Sequence, residues 1–160
     1  MPDAAPEARV RTLVRRLRLE PHPEGGWFRE THRSDVVIPR HALPEGYPGE
    51  RCAVTSILFL LPSGTRSRPH RVRSEEIFVH HAGDALRLIA SRDRDHLGPG
   101  AATGADRFDV TLGSRDIDVF QAVVPGGWWQ TAEPLAGPNG YALVGCVVAP
   151  GFDFEDFEMV

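Results

Sequence analysis

The sequence predicts an all-β domain, a sandwich or barrel of short strands preceded by one short helix. Apolar stretches of strand length recur at roughly 8–12-residue spacing, and turns rich in Gly, Pro, Asn or Asp separate them. One stretch near the N-terminus repeats at helical spacing instead. The length of 160 residues and the 41% hydrophobic content fit one domain with a single buried core.

The helix is predicted from Pro6 to Leu17. Its apolar residues recur at helical spacing, and arginines occupy the other face. A basic amphipathic helix can touch a membrane, but packing on its own domain is the favoured interpretation. Residues 1–5 are expected to be a disordered terminus, and residues 6–160 are expected to form the single domain.

The strands follow from short apolar runs bounded by turn residues. Two long loops, at 35–51 and 92–106, separate some of them. The predicted strands are Trp27–Ser34, Ala53–Leu61, Glu75–His81, Ala85–Ser91, Phe108–Leu112, Val119–Val124, Trp128–Ala132 and Tyr141–Val148.

Composition and charge exclude several classes of function. The eighteen arginines without a lysine exclude Schiff-base and P-loop lysine chemistry. A net charge of -4 argues against nucleic acid as a partner. No apolar run reaches membrane-spanning length, and no signal peptide is recognisable, so neither a membrane partner nor export is expected. Cys52 and Cys146 lie in apolar runs, as small core residues of a reducing compartment do, which predicts a cytoplasmic protein.

A candidate site lies around His70 and Glu76. On a strand, side chains alternate between faces, so Glu76, Phe78 and His80 share one face. A carboxylate buried on an inward face costs several kcal/mol unless it is paired or hydrogen-bonded. An inward Glu76 would therefore mark a site rather than packing.

Several motifs carry a resemblance to a known family. Gly64, His70, Glu76 and Gly83 resemble the first signature of the cupin superfamily, and residues 125–130 resemble the second. More narrowly, the chain is similar to the cupin-5 family, a former domain of unknown function described as a sugar-epimerase-like cupin. Four segments carry this narrower match: 22–31, 55–61, 124–130 and 148–157.

The resemblance implies a double-stranded β-helix barrel, or jelly roll, with a pocket at one end and a homodimer. It implies no settled activity. Two ligand positions of the general cupin metal site differ here, because Val72 replaces the second His and Gln130 replaces the last. Valine cannot ligate, and a neutral amide is a poor ligand for zinc or iron. No metal or other cofactor is therefore expected; a weakly bound divalent metal, if present, would use His70, Glu76 and Gln130.

Without a metal, His70 and Glu76 become an acid–base pair. An imidazole beside a carboxylate can abstract a proton next to a carbonyl, as metal-free cupin epimerases of sugar nucleotides do. The predicted function is thus a sugar epimerase- or isomerase-like enzyme acting on a small anionic or sugar-derived substrate. The alternatives are a non-catalytic ligand-binding cupin or sensor, in which the two residues merely hydrogen-bond each other, and a metal-dependent cupin enzyme with a reduced site.

Other residues are predicted to contact the substrate. Arg29 and Arg71 can each clamp a carboxylate or phosphate. Trp128 shares a face with Gln130 after the Pro-Gly-Gly turn and can form an aromatic wall, although plain barrel core explains it equally well. Ser56 is a candidate hydrogen bonder. Phe78, and His80 as an opposite donor, complete the predicted pocket.

Overall fold

Two facing antiparallel sheets form the domain, with one helix on the outer face of the first. The computed structural model describes residues 5–98, 100–101, 104–113, 117 and 119–160. Of the expected disordered terminus, residues 1–4 lie outside this part, and Ala5 is the N-cap residue of the helix α1 (Pro6–Leu17). In the part described, no helix has the length and apolar character needed to cross a membrane.

The first sheet has six strands, in the order β1-β2-β5-β12-β7-β10. Its long central strands pair over their whole length, and β12 lies between β5 and β7. The six strands are β1 (Glu20–Pro21), β2 (Trp27–Arg33), β5 (Thr55–Pro62), β7 (Glu75–Gly83), β10 (Gln121–Val124) and β12 (Tyr141–Ala149).

The second sheet has five strands, in the order β13-β6-β11-β8-β9, and a two-stranded sheet joins β3 to β4. The five strands are β6 (His70–Val72), β8 (Leu86–Ser91), β9 (Arg107–Leu112), β11 (Trp129–Pro134) and β13 (Phe157–Met159). The small sheet consists of β3 (Val37–Ile38) and β4 (Arg51–Cys52). Short 3-10 helices occupy Arg40–Ala42, Arg94–Leu97 and Phe154–Asp156.

The hydrophobic core fills the space between the two large sheets. Phe59 of β5, Leu88 of β8 and Val144 of β12 are each at most 1% exposed. Burial of side chains like these is the main favourable contribution to folding. At one end of the barrel the inward residues change from aliphatic to polar and aromatic, and a cavity opens there.

The N-terminal helix packs as predicted. Its apolar face lies on Leu60 of β5 and Leu143 of β12, on the outside of the first sheet. Gly26, in the turn before β2, lies close against the backbone of β5. It has a φ of +72°, and a Cβ there would lie 2.6 Å from the Leu60 carbonyl oxygen.

Candidate functional site

His70 lies at the start of β6, in the second sheet. Antiparallel pairing places it opposite Gln130 of β11 and Met159 of β13. Alternation along β6 turns His70 and Val72 into the cavity and Arg71 to the outside. Phe157 covers the imidazole, with ring centroids 5.4 Å apart. The His70 side chain is accordingly only 4% exposed.

A tight turn between β1 and β2 brings two further polar residues into the cavity. Gly25 N–H donates to the His22 carbonyl oxygen, and Gly25 and Gly26 adopt φ values of +105° and +72° that favour glycine. The turn directs His22 and Glu24 inward. His22 packs edge-on against Phe28, with centroids 4.6 Å apart.

Glu24 is the carboxyl that contacts His70. Its Oε2 lies 3.1 Å from His70 Nε2 and 3.6 Å from His22 Nδ1. The expected partner of His70 was Glu76, and the structure corrects that expectation. Glu24 reaches His70 because the turn projects its side chain between the two sheets. Alternation along a strand could not predict this position, since Glu24 lies outside the strands.

Hydrogen-bond partners fix the tautomers of both imidazoles. His70 Nδ1 lies 2.8 Å from the Arg68 carbonyl oxygen, which can only accept, so Nδ1 carries the proton. Its Nε2 lone pair then faces Glu24. His22 Nδ1 accepts from the Glu24 backbone N–H at 3.2 Å, so the proton of neutral His22 lies on Nε2.

Burial sets the protonation state of this group. Burial lowers the pKa of His70 to about 4, against a smaller raising effect of the Arg68 hydrogen bond. Burial and then the nearby charge of His70 lower the pKa of His22 to about 4. Burial and then the charge of Glu76 raise the pKa of Glu24 well above its usual value. Burial therefore favours the neutral forms of both groups, a protonated Glu24 beside a neutral His70.

Glu76 is a second buried carboxyl of the cavity. It lies on β7 between Val124 of β10 and Val148 of β12. Gln130 Nε2 donates to its Oε2 at 2.6 Å. Burial raises the pKa of Glu76, whereas the hydrogen bonds from Gln130 and the Cys146 thiol oppose this shift by stabilising the carboxylate. Among the described residues, Gln130 Oε1 is buried and has no hydrogen-bond partner.

The cavity has a volume of about 250 Å³. This is slightly below the ~300–1,000 Å³ typical of ligand pockets, so it suits a small molecule rather than a sugar nucleotide. Its apolar wall is largely aromatic. The phenylalanines come from β2, β5 and the C-terminal segment: Phe28, Phe59, Phe152, Phe154 and Phe157. At its edge, the Arg33 guanidinium forms two hydrogen bonds to Glu30, of 3.0 and 2.9 Å.

The structure places several predicted contact residues away from this cavity. Arg29 and Ser56 lie on the outward faces of β2 and β5, because their neighbours on each strand line the cavity and side chains alternate. Arg71 points outward and pairs with Glu158 at 2.6 Å. Neither predicted arginine clamp therefore faces the cavity.

Three other predicted residues are structural parts of the barrel. Phe78 belongs to the core cluster. His80 is buried on the same inward face as Glu76, and its Nε2 contacts the Asp84 carbonyl oxygen at 3.0 Å. Trp128 stacks on Phe108 with centroids 6.2 Å apart. Alternation gave the correct face for Phe78 and His80, but the cavity ends before it reaches them.

Sequence reasoning missed His22 and Glu24 as site residues. Both lie in the segment 22–31 that carries the family resemblance. The signal was a His and a Glu two residues apart, immediately before two glycines. Such a turn projects side chains from the end of a strand, which is how both residues reach His70.

Two ligand positions of the general cupin metal site are changed in this chain. Val72 offers no ligand atom there, and the Gln130 amide nitrogen is used in donating to Glu76. Across the ranges that the structure describes, no group of three or more His, Cys, Asp or Glu side chains is placed to hold a metal ion. The residues present do not fit that metal site.

The two-sheet barrel and its polar cavity at one end define a cupin. The chain belongs to the Cupin_5 family of the cupin superfamily (DUF985), whose sequence model matches residues 11–160. It is 28% identical to the uncharacterized protein YML079W of Saccharomyces cerevisiae, over 98% of this chain and 77% of that protein.

Solved structures share the fold. A hypothetical protein from Leishmania major is 36% identical, with a TM-score of 0.77 over 94% of this chain and 86% of the other. Protein SO0799 from Shewanella oneidensis is 30% identical, with a TM-score of 0.71 over 93% and 82%. A single-residue variant of oxalate decarboxylase from Bacillus subtilis is 16% identical, with a TM-score of 0.53 over 88% of this chain and 29% of that chain. This last likeness concerns the fold alone.

Proposed function

We propose that the chain is an isomerase- or epimerase-like cupin that moves a proton on a small carbonyl compound. The observation that carries this proposal is the 3.1 Å contact between Glu24 Oε2 and His70 Nε2 in the cavity, with side chains 9% and 4% exposed. Perturbed titratable groups that converge in a concave pocket are typical of catalytic sites. The cavity volume of about 250 Å³ favours a molecule no larger than a simple sugar.

The two buried carboxyls suit opposite halves of the reaction. The Glu76 carboxylate, stabilised by the hydrogen bond from Gln130, takes a proton from the carbon next to the carbonyl. Glu24, whose protonated form burial favours, donates its proton to the carbonyl oxygen, giving an enol. In an α-hydroxy carbonyl compound, return of a proton to the former carbonyl carbon, while the α-hydroxyl gives its proton to Glu24, yields the isomer. Return of a proton to the other side of the first carbon, while the enol O–H gives its proton back to Glu24, yields the epimer. The protons and electrons balance without a co-reactant.

Solvent hydrogen exchange tests this function without knowledge of the natural substrate. Hydroxyacetone and dihydroxyacetone are incubated with the protein in deuterated buffer, and proton NMR follows deuterium entry beside the carbonyl. The wild type is expected to exceed the buffer rate. Glu24→Gln and Glu76→Gln should each lower the exchange rate by about 10²-fold or more, the usual contribution of a general acid or base.

Glu158→Gln is the matched control, because Glu158 is 55% exposed and pairs with Arg71 outside the cavity. It should leave the exchange rate unchanged. Exchange that survives Glu24→Gln would remove Glu24 from the mechanism. Exchange no faster than in buffer would refute catalysis, and saturable binding of the same compounds would then identify a ligand-binding cupin or sensor.

The partners are proposed on the same basis. A small-molecule ligand is the expected partner, without nucleic acid or membrane. The homodimer implied by the resemblance stays a prediction, which light scattering on the full chain in solution tests.

A further inference from the structure

The polar lining of the cavity is rich in carboxyl groups and poor in cationic ones. Its carboxyl side chains are Glu24, Glu30, Glu76 and Asp153. Among the lining residues described, Arg33 carries the one guanidinium. That guanidinium is engaged in two hydrogen bonds with Glu30 and in another, of 3.1 Å, with the Phe152 carbonyl oxygen.

An anionic ligand would find no free guanidinium among the lining residues described. A carboxylate or phosphate that enters loses its hydration, which costs several kcal/mol unless a cation or several donors replace the water. The two deep imidazoles do not supply that cation, since His22 and His70 are both neutral at neutral pH. The predicted clamps, Arg29 and Arg71, point away from the cavity.

A cation would find partners of two kinds. Glu76 is a buried carboxyl with a single side-chain amide donor, Gln130 Nε2. Gln130 itself is not among the residues that line the cavity, so the Glu76 carboxyl is, of the two, the polar group that a ligand reaches there. The aromatic wall adds ring faces, which attract ammonium groups by about 0.5–2 kcal/mol.

We propose that this cavity binds a small organic cation, an amine with a compact apolar body, and that it rejects anions. The ammonium group pairs with the Glu76 carboxyl, and the apolar body packs on the phenylalanines. The inference deepens the proposed function by naming the charge class of its ligand. It rests on that proposal only in assigning the ligand to the same cavity.

Calorimetry near neutral pH with three probes of similar shape tests the inference. Benzylamine is a cation, benzyl alcohol is neutral, and benzoate is an anion. Benzylamine is expected to bind about tenfold more tightly than benzyl alcohol, a difference of ~1.4 kcal/mol, and benzoate more weakly than either. Glu76→Gln should lower benzylamine affinity to that of the alcohol and leave the alcohol unchanged. Glu75→Gln, the neighbouring exposed glutamate on β7, should change neither.

Equal affinity for amine and alcohol, no saturable amine binding at millimolar concentration, or benzoate binding as tight as amine binding would each overturn the inference. The comparison of the three probes on the wild-type protein tests the inference even if Glu76→Gln does not fold. Because binding is measured without turnover, failure of the hydrogen-exchange assay leaves this result intact, and the reverse also holds.

Discussion

Asp156 anchors the C-terminal segment that closes the cavity, so Asp156→Asn should destabilise the domain strongly. Its carboxylate accepts from Arg51 Nε at 2.7 Å and Nη2 at 3.0 Å, and from Arg73 Nε at 3.2 Å. The Arg51 and Asp156 side chains are 4% and 1% exposed. Removing one charge of such a pair leaves the other buried and unpaired, which costs about 3–5 kcal/mol. Glu155 still reaches Arg51 at 3.3 Å, so we expect the lower end, about 3 kcal/mol.

Urea denaturation measures this loss in the free energy of unfolding, and calorimetry should show a fall in Tm of about 6–12 °C for a domain of this size. Glu158→Gln is the matched control in the same segment. It breaks the Arg71–Glu158 pair, whose side chains are 42% and 55% exposed, and such surface pairs contribute about 0–1 kcal/mol. A loss of less than about 1 kcal/mol for Asp156→Asn, or a loss equal to that of Glu158→Gln, would refute the reasoning.

Two further predictions concern the turns at the other end of the barrel. Asp84 is buried, which favours its protonated form, but hydrogen bonds from Asn139 and Gly140 outweigh burial and lower the pKa of the carboxyl below 3.8. The unfolded chain therefore takes up this proton first, and stability should fall as the pH drops below about 4; acid titration of Asp84→Asn should lack this component. A Cβ on Gly83, at a φ of +92°, would overlap the carbonyl oxygen of the neighbouring strand, whereas Gly64, at +80°, borders open space. Gly83→Ala should thus cost about 3 kcal/mol and Gly64→Ala about 1 kcal/mol in urea denaturation; equal losses would contradict the steric argument.

Local pattern was sufficient for the long elements of the fold. The predicted helix has the same bounds as α1, and the predicted strand Ala85–Ser91 corresponds to β8 (Leu86–Ser91). The short strands β6 and β13 were not predicted. Each has three residues, too few for a recognisable alternation, and each is held by pairing with the other across a long separation in sequence. Such strands are specified by their partners rather than by their own residues.

The candidate site was also predictable only where a local sequence pattern specified it. Strand alternation correctly turned Glu76 inward, and the cupin signature led to His70. Alternation could not identify the partner of His70, because Glu24 lies in a turn, 46 residues earlier in the sequence and outside any strand. Because Glu24, and not Glu76, contacts His70, the acid–base roles of the site residues change. Glu76 pairs with Gln130 instead. The cavity then holds two separate buried carboxyls, one 3.1 Å from an imidazole nitrogen and one hydrogen-bonded to an amide. Two carboxyls in different environments can act as acid and base at one pH, because each environment shifts the pKa of its own carboxyl.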